Sequence, residues 1–354
     1  MPVQNYENLD VNSDVTTTRT LLHEVIPLTG TICSGTYSDN NIKNYTHGMF
    51  QSVYDYPYLS SSANHIFDLT IGMDETSAAS GSTTVQNTKK INLYNQYSQV
   101  LLGYTGSTTD GVRKFENDLV LDGSGYMKEC MFINFSRLLT KDQIKKGSFS
   151  MTLGTGPYNT PFSTRITVFD ISASSTANTT NAVGGDYGLL IKSGTIAGQP
   201  SHRTAVGVLF YQSGIAVLDI SSSMNNVAQF SKDPVGGIVH RTVMNTLTAS
   251  SITGACDAFR RRLQNLSYNN STEINSKIYF CRVPHNKFNY SSNPTYTSGS
   301  KIVIKEVASD TPVSYITTVG LYNSANELLA TAKLSEPLKK SPSQELILRV
   351  RLDY

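Results

Sequence analysis

The chain has 354 residues, 39% of them hydrophobic and 16% charged, with 29 basic against 27 acidic side chains. That length can bury a substantial core and favours more than one packed subdomain. A formal charge of +2 offers no electrostatic footprint for nucleic acid or an anionic membrane, and no run approaches the roughly 18 to 20 apolar residues that span a bilayer.

In place of charge stand Ser, Thr, Asn, Gly and 20 Tyr, with no Trp. That mixture suits β-rich, hydrogen-bonding surfaces that meet other surfaces. The opening MPVQNYENLDVNSDVTTTRTLL has neither the basic nor the apolar region of an export signal. A reducing compartment is therefore expected, with the widely spaced Cys33, Cys130, Cys256 and Cys281 as buried thiols.

In chain order, residues 1–25 read as an N-terminal arm. Ile66, Leu69 and Ile71 suggest a short strand or extended segment, with a helical turn as the alternative, and DETSAASGSTTVQNTKK a polar loop over 74–90. Ile91, Tyr94, Tyr97 and Leu101 recur at spacings of three and four, a short amphipathic helix closed by Gly103. Cys130, Phe132 and Asn134 alternate with Met131, Ile133 and Phe135 in a strand, followed by a helical turn and a second strand at Phe149, Met151 and Leu153. TRITVFDIS is another strand, and a glycine-containing loop covers 173–186. AVGVLFYQSGIAVLDIS is a hairpin turning at QSG, its strands buried on both faces.

Ile252, Cys256, Phe259, Leu263 and Leu266 fall at helical intervals after Ser250 or Ser251, and that helix would carry Arg260, Arg261 and Arg262. From EINSKIYFCRV onward the pattern is β: a polar aromatic stretch HNKFNYSSNPTY, the strand SKIVIKEV, a hairpin around Asn323–Asn326, and a last strand ELILRVRLDY. In that last strand Leu346, Leu348, Val350 and Leu352 face a core, with Arg349 and Arg351 opposite.

No spacing gathers the six histidines, His23, His47, His65, His202, His240 and His285, at a metal, and neither Gly123-Ser124-Gly125 nor Gly154-Thr155-Gly156 completes a nucleophile elbow or phosphate loop. Asp170 and Asp219 end apolar strands, where a glycosidase carboxylate can sit, but strand-end Asp more often accepts turn N–H bonds. No catalytic residue, cofactor or metal is expected. Three consecutive helix positions point three ways, so Arg260–Arg262 read as interface or surface ion-pair residues and not as one cationic face. Phe288, Tyr290 and Tyr296, set among small amides and hydroxyls, have the chemistry of an adaptable contact surface or, equally, of an ordinary hairpin loop.

Several blocks carry a resemblance: NIKNYTHGMFQSVYDYPYLSSSANHIFDLTIG, MFINFSRLLTKDQIKKGSFS, IYFCRVPHNKFNYSSNPTY, and YITTVGLYNSANELLATAKLSEPLKK followed by LRVRLDY. They resemble virion structural proteins of tailed bacteriophages, cyanophages and related marine phages especially. The resemblance implies a non-enzymatic particle component, tail or baseplate, made in the host cytoplasm and held in the virion by contacts with other virion proteins and copies of itself. Nucleic acid and membrane are not expected partners. The alternatives are a tail adhesin binding host-surface glycans, or a tail-associated carbohydrate-degrading enzyme. The expected fold is mainly β, antiparallel and sandwich-like with a few short helices, divided into a β-rich domain over 26–267 and a C-terminal β module over 268–354.

Overall fold

The computed structural model describes residues 6–28, 39–81, 84–104, 111–119, 121–171, 178–181, 183–193, 204–224, 227, 229–232, 240–291, 294–298, 301–302, 309 and 311–354. Cys33, His202 and parts of the 173–186 and SKIVIKEV segments lie outside them. The fold is mainly β, with a large antiparallel sheet and a few short helices. Two compact units divide the chain: a larger one, Leu22–Thr272, and a smaller one, Met1–Leu21 together with Glu273–Tyr354. The first twenty residues thus group with the C-terminal part.

In the larger unit the sheet runs from Ser150–Gly154 through Arg165–Asp170, Gly185–Ser193, Thr204–Phe210, Ile215–Asp219, Glu129–Phe135, His65–Met73 and Gln51–Tyr54 to Ile42–Asn44. Every step is antiparallel. The hairpin at its centre joins Thr204–Phe210 to Ile215–Asp219, with Gly214 at φ 66 supplying the left-handed turn position. Alternation sends side chains to two cores. Met131, Ile133 and Phe135 join one, with Leu209, Tyr211, Ala216 and Leu218. Cys130 and Phe132 join the other, with Val208, Phe210, Ile215 and Val217. Both faces are dry, which is why these strands read as near-continuous apolar runs.

The second core is closed by the helix Val85–Leu101 through Tyr94, Leu101 and Leu102. This helix starts six residues before its apolar stripe, inside the segment expected to be loop. Thr84 caps it, its hydroxyl accepting the Asn87 N–H at 3.3 Å, and Gly103 ends it at φ 77. The helix packs directly on Gly72, where a Cβ would stand 2.8 Å from the Tyr94 nitrogen and 2.9 Å from its Cα. Only glycine admits so close a backbone.

The first core is closed by the helices Val243–Ala249 and Ile252–Arg260, through Val243, Leu247, Ile252, Ala255, Cys256 and Phe259. Ser251 caps the second, accepting the Gly254 N–H at 3.1 Å. The expected helix ends earlier than its spacing suggests: Leu263 and Leu266 lie in the strand Leu263–Val283. Among the buried groups Lys90 stands out. Its ammonium donates to the carbonyls of Leu247 and, at 2.8 Å, Ser250, at the C-terminal end of Val243–Ala249. Cations are favoured there, yet burial still pulls its pKa down to about 8. Cys130 and Cys256 are buried thiols whose pKa burial pushes up, whereas Cys281 is only half-buried.

In the smaller unit the second part of the Leu263–Val283 strand pairs antiparallel with Leu346–Asp353, from Ser276↔Asp353 to Val283↔Leu346. Backbone bonds between Asn275 and Tyr354 extend the ladder to the last residue. The hairpin Ser314–Tyr322 and Leu328–Lys340 forms a separate two-stranded ribbon. The final strand thus pairs with the earlier strand and not with this hairpin. The N-terminal segment is tied into this unit. Asp14 accepts from Arg282 Nε at 2.8 Å, its carbonyl takes the Phe280 N–H at 2.8 Å, and Glu7 pairs with Lys287. The Asp10 backbone bond, with Arg282, holds the Asp14 carboxyl below its ordinary pKa.

Candidate functional site

The arginine triplet belongs to the larger unit and does not form a surface. Arg260 ends its helix, is buried, and pairs with Asp257 at 3.2 Å. Arg262, one residue past the helix cap, is the largest fully buried side chain among the described residues. It donates to the carbonyls of Gly154 at 3.1 Å, Gly156 at 2.8 Å, Gln229 at 2.8 Å and Phe230 at 3.1 Å, and lies 4.9 Å over the Phe230 ring. Burial lowers its pKa to about 10, which leaves it charged at neutral pH. Arg260 and Arg262, expected as interface or surface ion-pair residues, are instead buried: chain turning at the helix end carries both inward, and Arg262 there meets main-chain carbonyls that need donors. Arg261 alone stays outside, donating to the Tyr158 hydroxyl at 2.9 Å beside an open, shallow groove lined by residues 158–163.

The other expected contact residues belong to the smaller unit. Phe288 is half-buried and sits at φ 57, an uncommon conformation for a bulky residue. That turn anchors the ribbon. The Phe288 carbonyl accepts from the Ser314 hydroxyl at 2.7 Å, and Lys340, paired in register with Ser314, donates to the His285 carbonyl at 3.2 Å and to Asn289 Oδ1 at 2.8 Å. Tyr290 is exposed, and Tyr296 meets Tyr315 of the ribbon edge-on at 6.4 Å. In the last strand Val350 is buried and Leu346, Leu348 and Leu352 half-buried, while Arg349 and Arg351 are exposed. Arg351 is held by Asp353 at 2.6 Å and by the Ser276 hydroxyl at 3.0 Å.

The ribbon itself was read from sequence as a hairpin but not as a site. Between Tyr315 and Lys339 none of its residues is buried. Tyr315, Tyr322, Leu328, Leu329 and Leu338 are exposed, Leu329 by 68%. Pairing runs Thr318↔Lys333, Val319↔Ala332, Gly320↔Thr331, Leu321↔Ala330 and Tyr322↔Leu328, with Asn326 at φ 61 in the turn. Toward the base it jumps to Ile316↔Leu338, so residues 334–337, including Pro337, bulge out. An isolated two-stranded hairpin is marginal in water, and this one buries its residues only at the root.

The two strand-end carboxylates are engaged in structural bonds. Asp219 caps the turn after its strand, accepting Ser221 N–H at 3.1 Å and the Ser221 hydroxyl at 2.7 Å; that hydroxyl also lies 2.8 Å from buried Glu129. Asp170 accepts from the Tyr211 hydroxyl at 3.0 Å and the Gly147 N–H at 2.7 Å. These two carboxylates sit in different hydrogen-bond sets, each serving turns. Glu116, Asp118 and Asp122 present oxygens within 4.8 Å of one another, close enough for one cation. Glu116 is buried and already accepts the N–H groups of Asp122 and Gly123, both at 3.1 Å. Burial, then the neighbouring carboxylates, raise its pKa. In the sequence the signal for this group is the E-x-D-x-x-x-D spacing ahead of the Gly123-Ser124-Gly125 turn, not the turn itself. Among the described residues no helix is long and apolar enough to cross a membrane. No family model, no curated protein and no solved structure matches the chain.

Proposed function

We propose that this chain is a non-enzymatic structural component of a tailed-phage virion, of the tail or baseplate, that works by assembling with other virion proteins and with copies of itself. The observation that carries the assembly part is the ribbon of residues 314–340, which exposes Tyr322, Leu328 and Leu329 and, among the described residues, has no buried side chain between Tyr315 and Lys339. A protein that keeps such an element in place has a partner for it. The virion part rests on the sequence blocks that resemble phage structural proteins. The carboxylates weighed for hydrolysis, Asp170 and Asp219, have turn-stabilising partners that account for them.

Mass spectrometry of purified particles from the phage that encodes the chain tests this reading. Stoichiometric copies, in multiples of three or six per particle if the position is tail or baseplate, are the expected result. Absence of the chain from intact particles overturns it. A second reading, host-glycan binding, is favoured by the groove where Tyr158 meets Arg261. Glycan-array binding by the isolated chain, lost in Tyr158→Ala, is its signature.

A further inference from the structure

The two edges of the ribbon are unlike. Leu328–Lys340 carries Lys333, Glu336, Pro337, Lys339 and Lys340, the charges and proline that keep an exposed edge from pairing. Ser314–Tyr322, sequence SYITTVGLY, has no charge and no proline in nine residues. Among the described residues its one strand partner is Leu328–Lys340, and none of them pairs with its other edge. A long uncharged edge without a guard is a template for another strand.

We propose that the occupant is the same strand of a second copy, Ser314–Tyr322 pairing antiparallel with itself about a two-fold axis at Thr318. The inference deepens the assembly reading above and rests on it. An uncharged strand facing itself meets no like charge, whereas the Lys-bearing edge facing itself would set lysines near lysines. Centred on Thr318, the register puts Thr317 opposite Val319, Ile316 opposite Gly320 and Tyr315 opposite Leu321 of the other copy. The small Ser314 and Gly320 then face the large Tyr322 and Ile316, the β-branched Thr317 and Val319 face each other, and Tyr315 faces the aliphatic Leu321, so every facing pair is uncharged and sterically complementary. The contact is isologous and closes at two copies. It converts a two-stranded ribbon into a four-stranded sheet, past the size at which sheets hold together in water.

Thr318 is exposed and its partner within the ribbon is Lys333. Thr318→Glu therefore adds an opposite-charge pair inside each ribbon while placing glutamate against glutamate across the axis. Sedimentation velocity of the full chain over a concentration series is the assay. The wild type is expected to pass from monomer to dimer, and Thr318→Glu to raise the dimer dissociation constant about fivefold or more. Mixing Thr318→Glu with Thr318→Lys chains is expected to restore association. A wild type that stays monomeric throughout, or a dimer that Thr318→Glu leaves unchanged, overturns the pairing. Either result with the chain still present in particles leaves the virion reading standing. A dimer of the expected behaviour, with the chain absent from particles, removes the virion reading alone.

Discussion

Lys90 gives the sharpest quantitative expectation. Its ammonium is fully buried against the Leu247 and Ser250 carbonyls, with a pKa near 8 in place of 10.5. A lowered pKa on a base means that the folded chain binds fewer protons than the unfolded one between those two values. Stability must then rise with pH across that window, and the cost of the buried charge is fully present below it. At about 1.4 kcal/mol per unit, the full span corresponds to about 3 kcal/mol, of which about 1 kcal/mol appears between pH 7 and 9. Other groups titrate in the same range, so the quantity to measure is a difference. Urea unfolding of the wild type and of Lys90→Met at pH 7, 8 and 9 supplies it. The wild type is expected to gain on the variant as pH rises. Parallel stability curves would falsify the placement of a charged amine in this core.

Three further expectations follow from single contacts. Arg262→Leu leaves the carbonyls of Gly154, Gly156, Gln229 and Phe230 without their donor and should lose about 3 kcal/mol in urea unfolding, against under about 1 kcal/mol for Arg261→Ala at the surface. Gly72→Ala drives a methyl into the Tyr94 backbone and should lose about 1–3 kcal/mol by the same assay; a neutral result means the Val85–Leu101 helix does not lie where it is described. Removing 345–354 strips the whole strand paired with Ser276–Val283 and should expose that edge to limited proteolysis; an unchanged digestion pattern refutes the pairing.

Much of the β architecture was legible because burial on both faces left a plain record. The alternation of Glu129–Phe135 and the central hairpin appear where their residues placed them. The misreadings have identifiable causes. Leu263 and Leu266 are three apart, a helical spacing, yet they share a face of a strand because the register slips between Leu263 and Asn265. A bulge changes the parity of a strand, and so imitates the period of a helix. The first turns of the Val85–Leu101 helix were invisible because Lys90, a buried position, carries the most polar kind of side chain. Arg262 was assigned outward by its charge; the four carbonyls that hold it come from chain more than thirty residues away, and no local pattern announces them. In the smaller unit the hairpin was evident, but its isolation was not. Pattern says which face of a strand is apolar and is silent on what covers it.

The root of the ribbon and the footing of the N-terminal segment respond differently to salt. Buried Lys340 is held by uncharged acceptors, the His285 and Ser341 carbonyls and the Asn289 amide oxygen, whereas Glu7–Lys287 and Asp14–Arg282 are ion pairs with at least one partly exposed partner. Mobile ions screen the second kind of contact far more than the first. Concentrated salt should therefore loosen the N-terminal segment from Phe280–Lys287 while the ribbon stays on its footing. A salt series would thus free one element of the smaller unit and leave another engaged, so ionic strength becomes a means of ordering the contacts that hold this unit together.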